Sequence, residues 1–386
     1  MKVNAPQISI QKLTRESDLR SLESEWRELL LKSTTNGLFM SWEFVITWWE
    51  TFGRQCRPHI LLARLENGEL AGIAPFVTCR EQGFPQGFFT KLCLMGDLGG
   101  LAPELQDFIV LPGLEQAIGQ RFFEAICSDD RLNWDLLTFS FIRPDSVIMR
   151  SLTVLNRTLL LRMRSEPAPF IRLPASWEAY EELLGGHFRR EVRRKIKKLN
   201  TSHQIEVFEP KTEAELTSAM DDLQRLNLAR WGEDRKSFDS DAWIRFHRTF
   251  ALQCLRSGWL SLQLLRIDGT TAAALYDFRY GNRLWKYQSG WLPEFHHLSP
   301  AIYLIANSIE SSIRLGLSDV DFLAGGMEYK FDWATDSRDL LSIQGFNRGS
   351  AKATMFQVLY GAQQWTQARL RSLATLLPAR NAADAA

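Results

Sequence analysis

The densest chemistry lies between residues 285 and 333, WKYQSGWLPEFHHLSPAIYLIANSIESSIRLGLSDVDFLAGGMEYKFDW. Ser299-Pro300 reads as a helix start, with Ser at the N-cap and Pro at the first helical position. With Ala301, that start offers free backbone N–H groups and a positive dipole end, an anion site suited to a pyrophosphate or a carboxylate. Tyr287, Gln288, Ser289, His296 and His297 stand just in front of it. Behind it, Gly325-Gly326 lets the backbone turn sharply towards a ligand, and Glu328 and Lys330 follow. Two residues apart, these share a side if the segment is extended, and the plainer reading is a surface ion pair. The adjacent His296-His297 has no HxxxH spacing or nearby carboxylate to complete a ligand set, so no metal is expected.

A second cluster is HFRREVRRKIKKLN, residues 187–200, with seven Lys/Arg. Phe188, Val192, Ile196 and Leu199 recur at helical spacing, so one stripe is apolar and the cations cover the rest. Arg193, Arg194 and Lys197 are the candidates to meet the phosphates of a sugar nucleotide, a tRNA or a lipid head group. The alternative is a solvated helix face.

The elements that must position these groups follow from local signals. A strand over 7–13, an amphipathic helix over 19–31 and a Ser41-capped helix over 42–52 lead into apolar strands 59–65 and 70–78. Asn67-Gly68 between these strands reads as a type I′ hairpin, and Pro75 predicts an edge or a bulge. A Gly-rich stretch (Gly83 to Gly100), a helix near 114–127 and a strand over 134–142 follow. The second half repeats the order: a hairpin 261–280 around Asp268-Gly269, a third strand 283–291, a loop, a helix 300–315 and a strand 319–323. Hairpin, loop, helix and strand occurring twice predicts two related halves. Ser165–Pro169 (SEPAP) reads as a stiff connector between them.

Composition narrows the classes. The 386 residues are 45% hydrophobic and 24% charged, which excludes a disordered or fibrous chain. Lys+Arg 46 against Asp+Glu 45 leaves no global field for a polyanion, so any anion chemistry must be local. No secretory h-region or 18-residue apolar run is present. The five cysteines are odd in number and widely spaced, which predicts free thiols in a reducing, cytoplasmic setting.

Taken together, Trp285-x-Tyr287-Gln288-Ser289, Leu298-Ser299-Pro300 and Asp321-Phe322-Leu323-x-Gly325-x-x-x-Tyr329-Lys330 resemble the GNAT-fold acyltransferases of the cellulose-biosynthesis (CelD/BcsL) and FemAB-like group. Trp26, Phe39-x-Ser41-Trp42, Ile73-Ala74-Pro75, Asp107-Phe108 and Trp134-Asp135 extend the resemblance into the first half, and it spans about residues 8–345. It implies an α+β fold of mixed, mostly antiparallel sheets flanked by helices, arranged as two tandem GNAT-like domains. These would be 1–165 and 166–350, with the active site in the second, and 351–386 would form a C-terminal helix and tail.

The implied activity is acyl transfer from acetyl-CoA or another acyl-CoA to an amine or hydroxyl of a sugar or envelope/exopolysaccharide precursor. The resemblance implies no metal, and it makes polysaccharide-synthesis machinery a candidate partner. Ser299, Pro300, Ala301, Gln288 and Ser289 would hold the donor, and Lys330 would stabilise the oxyanion or a phosphate. Glu328, Asp277 and His297 are candidate bases, Tyr287 a candidate acid, and His297, Arg193, Arg194 and Lys197 would bind substrate. No nucleophile elbow is present, so direct transfer is expected. The sequence departs from ordinary acetyltransferases in lacking their Gly-rich loop before helix 300–315. That keeps a Fem-like aminoacyl-tRNA donor in play, and a catalytically silent GNAT-fold binding module is the third reading.

Overall fold

Three tight turns organise the sheet. Asp268-Gly269 and Gly281-Asn282 both carry positive φ at the two central positions, as a two-residue type I′-like hairpin requires. Asn67-Gly68 differs: it sits in a four-residue loop in which Gly68 alone is left-handed. The computed structural model describes residues 7–80, 89–97, 104–155, 159–232 and 240–355. Half of the Gly-rich stretch (83–88 and 98–100) and residues 356–386 lie outside these.

The strands are β1 (Ile8–Leu13), β2 (Cys56–Leu65), β3 (Leu70–Cys79), β4 (Lys91–Leu94), β5 (Ile109–Val110), β6 (Leu136–Ile142) and β7 (Leu159–Arg172), followed by β8 (Ile205–Phe208), β9 (Leu260–Ile267), β10 (Thr270–Tyr280), β11 (Arg283–Trp291), β12 (Asp319–Asp321) and β13 (Asp336–Asn347). The α-helices are α1 (Glu16–Ser21), α2 (Glu23–Lys32), α3 (Trp42–Phe52), α4 (Glu115–Cys127), α5 (Val147–Ser151) and α6 (Trp177–Leu183), then α7 (Gly186–Ser202), α8 (Glu213–Trp231), α9 (Asp241–Arg256), α10 (Pro300–Arg314) and α11 (Glu328–Trp333).

All strands join one mixed sheet in the order β1-β2-β3-β4-β6-β13-β7-β12-β11-β10-β9-β8, with β5 beside β3. Read inward from either edge, four strands lead to a parallel pair, β4 with β6 and β11 with β12. Each pair then meets an antiparallel strand, but the closing strands are exchanged. β7 follows β6 in sequence and pairs with β12, while β13 follows β12 and pairs with β6. β7 and β13 run together along the seam.

This topology corrects three expectations. Residues 165–169 are not a connector but the middle of β7, so residue 165 lies within a strand. Alternate residues of a strand face the same neighbour, and the carbonyls of Pro167 and Pro169 accept from Gly325 N and Phe322 N. Both prolines therefore face a loop that asks only for acceptors, and their missing N–H groups cost the ladder nothing. Pro75 is likewise in an interior strand, in the gap between the β5 pairing at Gly72–Ile73 and the β4 pairing from Phe76 onward. The cysteines are not all free: Cys56 and Cys79 face each other across β2 and β3, with Cα atoms 4.4 Å apart, and form a disulfide. A separation of 23 residues hides a pairing that a hairpin register makes direct, and the cysteine count no longer argues for a reducing compartment.

Helices α2, α3, α8 and α9 share one core between the two wings of the sheet. Ser41 Oγ accepts from Phe44 N and starts α3. Phe44 then meets Phe246 and Phe250 of α9 edge-on at 5.8 and 5.5 Å. The opposite face carries separate cores, one around Phe108, Phe122 and Phe123 under α4 and one around Ile309, Val320 and Trp333 under α10. Among the described residues no helix is long and apolar enough to cross a membrane.

Candidate active site

The parallel strands β11 and β12 pair over only three positions, Arg283 with Asp319 through Trp285 with Asp321. They then part. β11 stays on β10, whereas the chain after Asp321 turns away: Phe322 N donates to Pro169 O, and Leu323 takes a left-handed φ of 61°. Opposite the parting, β11 carries a bulge. Tyr276 faces Gln288 and Asp277 faces Lys286, so Tyr287 is the extra residue. Tyr287 N donates to Asp277 Oδ1 (3.3 Å), which fixes the bulge.

A cavity of about 680 Å³ fills the gap. On the face covered by α7, α10 and α11 it is lined by Phe188, Lys195, Ile305 and Trp333. On the face shared with the first half it is lined by Phe39, Trp243, His247 and Tyr287. The cavity thus has walls on both sides of the sheet. Gly290 lets α8 pack directly on β11, since a Cβ there would come within 2.4 Å of the backbone at Leu226 and Asn227. That approach brings Arg230 to Ser289 Oγ (2.5 Å) and Asn227 Nδ2 to Ser289 O (3.0 Å).

Several expected residues converge here. Tyr287, Gln288, Ser289, Ser299, Pro300, Ala301, Asp277 and Lys330 all line the cavity. Lys286 Nζ lies 2.5 Å from Asp277 Oδ2 and 3.0 Å from Ser308 Oγ, so Asp277 is held by a buried ion pair. Burial pushes the Asp277 carboxyl up and Lys286 opposes that. The start of α10 reaches the cavity, but Ser299 is left-handed (φ 55°) and its side chain makes no cap bond. The anion-facing start therefore rests on Pro300 and the open backbone, not on a serine cap. Lys330, 5% exposed, donates from Nζ to Ala324 O (2.7 Å) and Leu323 O (3.3 Å). Gly325, at φ +118°, leaves room beside it: a Cβ would sit 3.4 Å from Nζ.

Others are placed elsewhere. Residues 328–333 are helical, not extended, so Glu328 and Lys330 point about 200° apart. Glu328 is exposed and outside the cavity lining. His297 is exposed with Nδ1 3.1 Å from Glu294 O, and it is His296 that reaches the cavity, tilted on Trp291 at 5.6 Å. Arg193, Arg194 and Lys197 face solvent, and Arg193 is bound to Glu181 (2.7 Å). Lys195, with Phe188 and Glu191, is the part of α7 that lines the cavity.

The residue that sequence reasoning left without a role is Glu104, from the first half. It is buried in the cavity wall and accepts from Ala324 N through Oε2. Burial raises its carboxyl to about 7; the Ala324 N–H, Lys330 and Arg338 hold it down, and Glu166 pushes it up. Burial of Tyr287, and after it the Glu104 charge, push the Tyr287 phenol up, so that phenol is protonated at neutral pH. Arg338 closes the group from behind by binding Asp321, whose Oδ1 accepts from Leu323 N (3.0 Å). Nothing in the spacing of Glu104 links it to residues more than 200 positions away.

Residues 186–331 match the family described as an acetyltransferase (GNAT) domain. Solved structures similar over most of the chain include FemX, at 10% identity and TM-score 0.60, covering 91% of this chain and 99% of that one. A conserved protein of unknown function from Bacteroides thetaiotaomicron matches at 10% identity and TM-score 0.51, covering 88% of this chain and 100% of that one. The C-terminal domain of a protein described as a lysylphosphatidylglycerol synthetase from Agrobacterium fabrum matches at 11% identity and TM-score 0.51, over 88% of this chain and 96% of that one. No curated protein matches the sequence. At such identities the likeness speaks for the fold: the chain carries a GNAT acyltransferase-type fold on a large mixed sheet.

Proposed function

We propose that the chain is an N-acyltransferase that moves an acyl group directly from acyl-CoA to an amine, with acetyl-CoA the simplest donor. The observation that carries this is the parting of β11 from β12 over a cavity lined from both sheet faces, with the α10 start and Glu104 both in its wall. The second half, residues 166–350, then holds the donor, while the first half, 1–165, supplies Glu104 and the acceptor-side wall of Phe39 and Phe141. An acceptor on a sugar or envelope-precursor amine, as in the cellulose-biosynthesis branch, is the reading the sequence resemblance supports.

In this scheme the amine nitrogen attacks the thioester carbonyl and passes its proton to Glu104, whose pKa of about 7 matches the working pH. Lys330 holds the turn that presents Ala324 to Glu104 and adds positive charge beside the developing oxyanion. Collapse forms the amide, breaks the C–S bond, and the thiolate takes a proton from Tyr287. Return of the proton from Glu104 to Tyr287 resets the site. Positioning of donor and acceptor supplies much of the remaining rate.

The test is a thermal-shift series with CoA, acetyl-CoA and longer acyl-CoAs. A ligand at 100 times its dissociation constant adds about 2.7 kcal/mol of stability. A flat response to every donor removes the CoA reading.

A further inference from the structure

The first half repeats the parting of β11 from β12, and there its own chain lies across the opening. β4 and β6 run parallel over only two positions, Lys91 with Leu136 and Leu92 with Leu137. β4 ends at Leu94 and β5 later takes its place beside β3. β11, the corresponding strand of the second half, runs past that point with one bulged residue. Residues 104–107 come between β4 and β5 in sequence and cross the parting. Leu105 N donates to Phe141 O of β6 (2.9 Å). Asp107 accepts from Val147 N (2.7 Å) and Ile148 N (3.0 Å) at the start of α5. Leu105 and Phe141 both hold left-handed φ, 61° and 52°. Side chains other than glycine seldom take that conformation, and it persists only where the surroundings impose it. Glu104, next to Leu105, and Phe141 both line the cavity.

Gln106, 3% exposed, sits at the centre of these restraints. Its Nε2 donates to Met95 O just beyond β4 (2.7 Å) and to Phe39 O (3.2 Å). A primary amide nitrogen has two N–H donors, and the two carbonyls take both. One side chain thus joins three segments of the first half. Phe39 belongs to the single turn Leu38–Met40 and is itself in the cavity wall, its ring 6.2 Å from that of Tyr287. Gln106 is outside the cavity lining, yet it restrains two residues that form it. Glu104 is faced there by Lys330 of α11, Arg338 of β13, Glu166 of β7 and Tyr287 of β11. A shift of the 104–107 segment changes both its burial and these charges.

We propose that Gln106 is a positioning residue of the site: it ties the 104–107 segment to β4 and to the Leu38–Met40 turn, and so holds Glu104 in the cavity and Phe39 in its wall. The catalytic consequence rests on the reading above, in which Glu104 takes the amine proton.

The test uses the full chain with Gln106→Met, which keeps the length of the side chain and removes both donated bonds. Wild-type stability in urea should fall as pH rises from about 4.5 to about 7, where the folded chain keeps the Glu104 proton that the unfolded chain has released. Q106M should lose the part of that fall which E104Q also loses. In the E104Q background Q106M should then alter the pH dependence no further. An effect through the adjacent Asp107, which burial also raises to about 7, would persist in that background and overturn the proposal. In acyl transfer Q106M should lose about 100-fold in kcat with little change in KM for acyl-CoA. Its acid limb should move from about 7 towards the ordinary 4.5. A uniform drop in stability with the wild-type pH dependence, or an acid limb that stays at about 7, overturns the positioning role. Should Q106M fail to fold, Q106N, whose amide is one methylene too short to meet both carbonyls, makes the same test. If E104Q keeps the wild-type rate while it shares the stability effect with Q106M, Glu104 is not the proton acceptor, and Gln106 still positions it.

Discussion

Glu104→Gln separates catalysis from stability. The glutamine keeps the shape and can still accept from Ala324 N, so it removes only the titration. In the folded protein the Glu104 carboxyl titrates at about 7, above its ordinary 4.5. A raised pKa means that the native state keeps a proton the unfolded chain has released, so folding stability falls as pH climbs from about 4.5 to about 7. Over that span, at 1.36 kcal/mol per pH unit, the loss is on the order of 3 kcal/mol. The variant should therefore match the wild type near pH 4.5 and exceed it by on the order of 3 kcal/mol at pH 8, measured by urea unfolding across the range. In the transfer assay the wild type should show an acid limb with a midpoint near 7. The variant should lose that limb along with about 10²–10⁴-fold in rate. Parallel stability curves across this pH range, or an unchanged rate, would refute the assignment of Glu104 as the proton acceptor.

Other consequences are equally direct. Lys330→Met removes a charge that lowers the Glu104 pKa, so the acid limb of the rate profile should move to higher pH. The same change strands the carbonyls of Leu323 and Ala324, at about 1–3 kcal/mol each, read from urea midpoints; an unshifted limb would place Lys330 outside the electrostatics of Glu104. Gly290→Ala puts a Cβ 2.4 Å from the α8 backbone. It should destabilise by about 1–3 kcal/mol or more and disturb the Arg230–Ser289 contact, and a stability within error of wild type would contradict the packing.

What could be read from the sequence was what short-range chemistry decides. Ser41 before an aromatic helix, Asp268-Gly269 between apolar runs and Pro300 at a helix start each act within one turn of chain, and the α3, β9–β10 and α10 boundaries follow them. The cavity lining that came from β11 and α10 was legible for the same reason. Glu328 was misplaced because a two-residue spacing means one side in a strand and opposite sides in the helix that forms. Glu104, the Cys56–Cys79 bond and the in-strand prolines depend on which distant segment lies alongside, and no residue in their own neighbourhood carries that information. His247 and Arg230 arrive on α9 and α8 through packing against Tyr287 and Gly290, a relation between helices that spacing along one chain does not encode.

The exchanged strands have a consequence for how the molecule is made. During synthesis β6 emerges long before its partner β13, whose last residue is Asn347, so the first half waits with an open, apolar edge until nearly the whole described chain has left the ribosome. β7, already present, must be withheld from β6 and kept for β12. Closure of the seam therefore waits for β13, which pairs with β6 on one side and with β7 on the other. For the same reason, cutting the chain between the halves leaves β6 without its β13 partner in one piece and β12 without its β7 partner in the other.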